Sequence, residues 1–313
     1  MEYKALGRSG LTVSSIGMGC WPMAGVGWTG IDDNKSMAAL ETAIDGGITL
    51  IDTAYMYGRN GESERLVGKA IAGSRDKIIL ATKCGLYWDG TTLVRDSSRD
   101  RILEQFEESL RRLNTDYIDL YQVHAPDENT PFEETAVTLA ELKEQGKIRA
   151  IGVSNYNTSQ MKTFCQHAPL HSDQPPYNLL IRDIEKDILP HCRNNGIGVI
   201  SYWPLYKGLL TGKYGRDYKF PKGDSRNDDN RFKGQALDRT LDALNRLKPI
   251  ANEYSKSIAQ LVIHWTTRQP GITAVLCGAT RPDQVEKNVE AVGWTLSEEH
   301  RKQIDQIVED MSV

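Results

Sequence analysis

The 313-residue sequence predicts an α/β fold, a (β/α)8 TIM barrel, on three observations. Eight short apolar runs of strand character recur from residue 15 onward, nearly all separated by a segment of helical period. A helix between successive strands requires parallel pairing, because a parallel connection needs a crossover of a dozen or more residues. Four of these runs end in polar side chains, which in a closed barrel converge on the face where barrel enzymes place their active sites.

Taken in order, residues 3–6 and 11–14 flank Gly7-Arg8-Ser9-Gly10 and read as a hairpin able to plug one end of the barrel. Strands are expected over 15–19, 49–52, 77–83, 117–124, 148–154, 171–174, 198–202 and 273–278. Helices are expected over 34–46, 99–113, 132–145, 158–167, 184–195, 239–256 and 257–269, with a further helix at the C-terminus. Asp32 or Asp33, Thr158 and Ser257 are N-cap candidates, and Gly46, Gly146 and Gly196 stand just past helix ends. The one long irregular stretch, 208–235, contains Asp224-Ser225-Arg226-Asn227-Asp228-Asp229-Asn230 and reads as either a functional lid or a disordered insert. No Pro/Ser-rich linker or charge block divides the chain, so residues 1–313 are expected to form one domain.

The balance of 38 Lys+Arg against 42 Asp+Glu, with no dense basic run, speaks against nucleic acid as the main partner. No apolar stretch reaches the ~20 residues of a membrane span, and Met1-Glu2-Tyr3-Lys4 opens without a signal-peptide core; a cytoplasmic protein is expected. Five scattered cysteines without a CxxC pair argue against a disulfide framework or zinc knuckle. Cys84, beside Lys83, reads as an inert buried thiol.

The strand endings carry the chemistry. Leu50-Ile51 runs into Asp52, Ile78–Thr82 into Lys83, Leu120–Val123 into His124, and Ala150–Val153 into Ser154-Asn155. Alone, Asp52 would be a helix cap, His124 a structural histidine and Tyr57 a loop aromatic; together they point to a site. The phenol of Tyr57, with an ordinary pKa of ~10, donates a proton readily at neutral pH only with a cation beside it. Lys83 would be that cation, Asp52 its anchor, and His124 a hydrogen-bond donor to a carbonyl oxygen. Such a set suits carbonyl reduction, in which hydride reaches carbon while a proton reaches oxygen.

These residues, with Gly46-Gly47-Ile48-Thr49-Leu50-Ile51-Asp52-Thr53-Ala54, Asp116-Tyr117-Ile118-Asp119-Leu120-Tyr121 and Gly146-Lys147-Ile148-Arg149-Ala150-Ile151-Gly152-Val153-Ser154-Asn155, resemble the aldo-keto reductases over essentially the whole chain. The resemblance implies a (β/α)8 barrel and a catalytic tetrad of Asp52, Tyr57, Lys83 and His124, with Tyr57 the general acid. It also implies a nicotinamide cofactor, usually NADPH and less often NADH, bound without a Rossmann fold, and a small carbonyl substrate. By the same likeness Ser154, Asn155 and Gln174 contact the carboxamide, and Tyr202 stacks on the nicotinamide, with Trp203 beside it. Leu205, Lys207, Leu209, Gly212 and Lys213 would cover the pyrophosphate, while Gly278, Ala279, Thr280, Arg281, Gln284 and Asn288 would grip the adenosine end. Trp203 stands where the family often has Ser, and Lys287 where it often has Glu. The potassium-channel beta subunits, which resemble the same family, suggest a cofactor-bound regulatory protein as an alternative. A barrel lyase using Lys83 as a Schiff base is a third reading.

Two patterns mislead. Gly25-Val26-Gly27-Trp28-Thr29-Gly30 is literally GxGxxG, but Trp21-Pro22-Met23 precedes it and Asp32-Asp33-Asn34 separates it from the helix, so it reads as a loop at the barrel mouth. His167 and His171 have the spacing of paired metal ligands, yet Pro169 breaks the helix that would align them, and no metal is expected. Trp21, Trp28, Trp88 and Trp203 are candidates to line a substrate pocket or pack loops. Substrate choice would lie in loops after Cys20, Tyr87 and Tyr206.

Overall fold

The computed structural model describes residues 1–311. A hairpin of β1 (Tyr3–Ala5) and β2 (Thr12–Ser14) precedes the barrel strands β3 (Ile16–Gly19), β4 (Leu50–Asp52) and β5 (Ile79–Cys84). A second hairpin, β6 (Leu86–Asp89) and β7 (Thr92–Arg95), follows before β8 (Ile118–Val123), β9 (Ile148–Ser154), β10 (Ser172–Gln174), β11 (Gly198–Ser201) and β12 (Ile272–Gly278). The barrel strands pair in the closed order β3-β4-β5-β8-β9-β10-β11-β12, each parallel to its neighbours. Around them lie α1 (Asp33–Asp45), α2 (Glu62–Ile71), α3 (Arg99–Leu113), α4 (Phe132–Glu144), α5 (Thr158–Phe164), α6 (Ile188–Asn195), α7 (Gly234–Glu253), α8 (Ile258–Thr267), α9 (Pro282–Val289) and α10 (Glu298–Met311).

The two-residue period of a strand explains how the barrel is filled. Leu50, Ala81, Leu120, Ala150, Ile200, Ala274 and Leu276 share one buried cluster with Leu6, Leu11 and Val13 of the first hairpin, which therefore plugs the N-terminal end. At Gly7 a Cβ would fall 2.5 Å from the His171 carbonyl oxygen, so the plug seats directly on the barrel rim. Two residues further along the same strands, the sequence changes character: Asp52 follows Leu50, Lys83 follows Ala81, Gln122 follows Leu120 and Gln174 follows Ser172. One inward face thus runs from apolar at the bottom to polar at the top. The opposite faces, including Ile51, Tyr121, Val123, Ile151, Val153 and Val199, bury against the helices.

Several boundaries differ from expectation. Asn157 rather than Thr158 caps α5, in a capping box with Gln160, because Asn157 holds the extended position from which its side-chain oxygen accepts the Gln160 N–H. Asp32 and Ser257 cap α1 and α8 as expected. The helix expected over 184–195 is a 3-10 turn, Asp183–Glu185, and then α6, restarted at the Asp187 cap. Lys77 belongs to a 3-10 turn rather than to β5. Helix α7 begins at Gly234, within the stretch expected to be irregular. The rest of that stretch is not a loose insert: Asp224 is buried under a paired Arg226, whose guanidinium also reaches the Tyr214 hydroxyl and lies over the Trp28 ring at 4.6 Å. Among the described residues no helix is long and apolar enough to cross a membrane.

Candidate active site

The polar layer at the barrel's C-terminal end is assembled by register. Lys83 pairs across the ladder with Gln122, Gln122 with Gly152, and Gln174 with Ser154. Lys83, 1% exposed, donates from Nζ to Asp52 Oδ1 at 2.6 Å and to the Thr53 carbonyl at 2.9 Å, and lies 3.3 Å from the Tyr57 hydroxyl. The other oxygen of Asp52 accepts from Gln174 Nε2 at 2.8 Å and from Gln122 Nε2 at 3.3 Å. Both carboxylate oxygens are therefore satisfied, as a buried charge requires. The absence of a side chain at Gly152 makes room for this: a Cβ there would lie 2.5 Å from Ser172 Oγ and 2.7 Å from Gln122 Cγ. Gln122 joins the residues expected at the site, and its two-residue offset from inward Leu120 is the sequence signal for it.

Tyr57 is delivered by the loop after β4. Arg112 of α3 holds that loop, donating to the Tyr55 carbonyl at 3.2 Å while paired with Glu64 and Glu108. The Tyr57 ring meets His124 edge-on at 5.5 Å between centroids and Trp21 at 4.9 Å. Met56, Leu86 and Ala125, with Trp21, Tyr57 and Trp88 packed on them, form a small apolar cluster beside this site, and Trp88 Nε1 donates to the Met56 carbonyl at 2.9 Å. Hairpin β6–β7, which supplies Trp88, was not anticipated.

Burial sets the protonation states. It raises the Tyr57 phenol well above its ordinary value, with the negative charge of Asp52 adding to the effect, so the phenol stays protonated at neutral pH. Burial, with Lys83 close by, lowers His124 well below its ordinary value and keeps the imidazole neutral. Its Nδ1 is buried and without a hydrogen-bond partner among the described residues. Burial also lowers Lys83, opposed by Asp52. It pushes the Cys84 thiol up to about 12, so that thiol is inert.

The residues expected to hold a dinucleotide line one arc of the same face. Asn155 stands at positive φ, donates to the His124 carbonyl at 3.1 Å and accepts from the Tyr202 hydroxyl at 2.8 Å. Ser154 Oγ donates to the Gln174 carbonyl. Beyond Tyr202, Trp203 is 36% exposed, and Trp203, Tyr206, Lys207 and Gly208 all take positive φ, strain of the kind that marks binding sites. Leu205 and Leu209 flank this turn, Gly212 ends it, and Lys213 follows over the Tyr214 ring. The stretch from Pro221 closes over it: Asp229 pairs with Lys207 at 3.0 Å and the Ser225 N–H donates to the Gly27 carbonyl. The GxGxxG glycines thus belong to a loop clasped by that stretch, not to a strand–helix turn. From the end of β12 through the following turn into α9 come Gly278, Ala279, Thr280, Arg281, Gln284 and Asn288, and Gln284 Oε1 accepts from the Thr280 N–H at 2.8 Å. Amides, an open aromatic face, cations and a helix start without a side-chain cap form a donor set that fits a dinucleotide. His171 Nδ1 instead serves the Ile151 backbone, and His167 lies beside Glu133.

The comparisons agree with this geometry. Residues 15–309 match the family model "Aldo/keto reductase family". The chain is 47% identical to the aldo-keto reductase YhdN of Bacillus subtilis, over 99% of this chain and 94% of that protein. It is 36% identical to the NADH-specific methylglyoxal reductase of Escherichia coli, over 95% of each. The solved glycerol dehydrogenase AKR11B4 of Gluconobacter oxydans superposes with a TM-score of 0.91 at 40% identity, over 99% of this chain and 95% of that one. With its closed parallel barrel and polar upper layer, the chain belongs to the aldo/keto reductase family, oxidoreductases that use nicotinamide cofactors to reduce carbonyl compounds.

Proposed function

We propose that residues 1–313 form a single-domain cytoplasmic reductase of small aldehydes or ketones that prefers NADPH, with Tyr57 as the general acid. The observation that carries this is the placement of Lys83 Nζ, buried between the Asp52 carboxylate and the Tyr57 hydroxyl. A reduced nicotinamide supplies the hydride when bound. Tyr57 holds the proton that the carbonyl oxygen takes, and Lys83 stabilises the phenolate left behind. Asp52, itself fixed by Gln174 and Gln122, keeps the ammonium aimed at that oxygen. Neutral His124, packed edge-on to Tyr57, orients the carbonyl by hydrogen bonding. The Schiff-base reading is disfavoured because a nucleophilic amine must be free, whereas the Lys83 ammonium is committed to three oxygens.

Ser154, Asn155 and Gln174 would hold the carboxamide and Tyr202 with Trp203 the ring, while the turn bearing Lys207 covers the pyrophosphate. NADPH carries a 2′-phosphate that NADH lacks, and Arg281 is the cation of the 278–284 segment. Replacement of Arg281 by Ala should weaken NADPH binding by ~10-fold or more while leaving NADH nearly unchanged, as expected for one charge-assisted contact. Titration of both cofactors by fluorescence quenching reads this directly. An unchanged ratio of the two dissociation constants would mean that the phosphate is held elsewhere.

A further inference from the structure

The segment proposed to grip the adenosine end contains a carboxylate that works against it. Arg281 precedes α9 in extended backbone, φ −148° and ψ 149°, which turns its side chain back over the first helical turn. There the guanidinium is held by a fork of two bonds, Nε to Asp283 Oδ1 at 2.9 Å and Nη2 to Oδ2 at 3.0 Å. Lys287, one turn further along, lies 3.8 Å from the same carboxylate. One acidic side chain therefore occupies both cations of the segment. Asp283 also sits in the first turn of α9, where a negative charge is favoured by the helix dipole and where a phosphate would compete for the same field. All three side chains are about half exposed or more, so the pairs are weak enough to be exchanged for a stronger anion.

We propose that Asp283 is a cofactor-specificity residue: its carboxylate competes with the 2′-phosphate of NADPH for Arg281 and Lys287. The competition narrows the preference for NADPH over NADH. The inference rests on the reading of 278–288 as the adenosine site. A 2′-phosphate entering this site must displace one carboxylate from Arg281 and then lie beside a like charge. The 2′-hydroxyl of NADH requires neither. Replacing Asp283 by Asn removes the charge, keeps the side-chain shape and frees the guanidinium fork.

The test measures dissociation constants without turnover, by fluorescence quenching and calorimetry, for NADPH, NADH, and the fragments 2′,5′-ADP and 5′-AMP. The proteins are wild type, Asp283→Asn, Arg281→Ala and the double variant, each checked by thermal melting. Asp283→Asn should tighten NADPH and 2′,5′-ADP by about 2–5-fold, the upper part of the range of one exposed ion pair, and leave NADH and 5′-AMP unchanged. The gain should be smaller in the double variant, because Arg281 makes the closer pair with Asp283 and only the weaker Lys287 contact then remains to be freed. An Asp283→Asn variant that leaves NADPH unchanged, or weakens both cofactors alike as a helix-start defect would, overturns the inference. If Arg281→Ala leaves NADPH binding untouched, it is the site assignment that fails; if Arg281→Ala weakens NADPH while Asp283→Asn is inert, only the role of Asp283 fails.

Discussion

Replacing Lys83 with Met keeps much of the side chain's volume and removes its charge, isolating what the ammonium does for Tyr57. With 3.3 Å between Nζ and the phenolic oxygen and an effective dielectric near 20, a full phenolate would gain about 5 kcal/mol from the cation. A transition state with roughly half that charge developed would gain about 2.5 kcal/mol, or ~10²-fold in rate. The loss should fall on kcat rather than on cofactor affinity, because Lys83 contacts Asp52, Thr53 and Tyr57 within the barrel. Asp52 would keep its bonds from Gln174 and Gln122 but lose its counter-charge, and an uncompensated buried carboxylate costs about 3–5 kcal/mol of stability. The variant should therefore melt several degrees lower yet still bind cofactor. Steady-state reduction of a panel of simple aldehydes, followed by nicotinamide absorbance below the variant's melting range, gives kcat, and fluorescence quenching gives the cofactor dissociation constant. A folded Lys83→Met enzyme with kcat within threefold of wild type would refute the reasoning.

Two further outcomes follow from the same packing. Asp173 on β10 is fully buried, no cation pairs with its carboxylate among the described residues, and burial pushes its carboxyl up to about 8, opposed only by the backbone N–H groups of Gln174 and Tyr156. A carboxyl whose folded pKa is raised binds a proton that the unfolded chain releases, so its contribution erodes stability as pH climbs from about 4 to about 8. Asp173→Asn should melt at a higher temperature than wild type at pH 8, with the gap closing toward pH 4–5; parallel melting curves across that range would contradict the assignment. Gly152→Ala should lower stability by about 1–3 kcal/mol in denaturant titration and also reduce kcat, since the new methyl displaces Gln122 from Asp52. Normal activity in that variant would show that the Gln122 contact does not help position the site.

The barrel was legible because its two periods are clean: alternating inward and outward residues in the strands, and helices between them that permit only parallel pairing. Asp52, Lys83 and His124 were legible because each ends an apolar run. Gln122 was not, because Val123 and His124 follow it and the run does not visibly end there. Helix α2 escaped notice since Gly61 offers no side-chain cap, and hairpin β6–β7 since its Asp89-Gly90 turn lies in what reads as a connecting loop. The clasp of Trp28, Arg226 and Tyr214 joins positions nearly two hundred residues apart and leaves no local pattern. The Arg281–Asp283 fork depends on extended backbone at a helix start, which residue spacing alone does not specify.

Tyr57→Phe removes one oxygen from the site and leaves the ring against Trp21 and His124. Carbonyl reduction by this variant, measured beside its affinity for NADPH, tests the central claim that the Tyr57 phenol supplies the proton. The account predicts kcat lowered by ~10²-fold or more with cofactor affinity within twofold of wild type. Near-normal turnover by a fully folded, cofactor-bound Tyr57→Phe enzyme would contradict it.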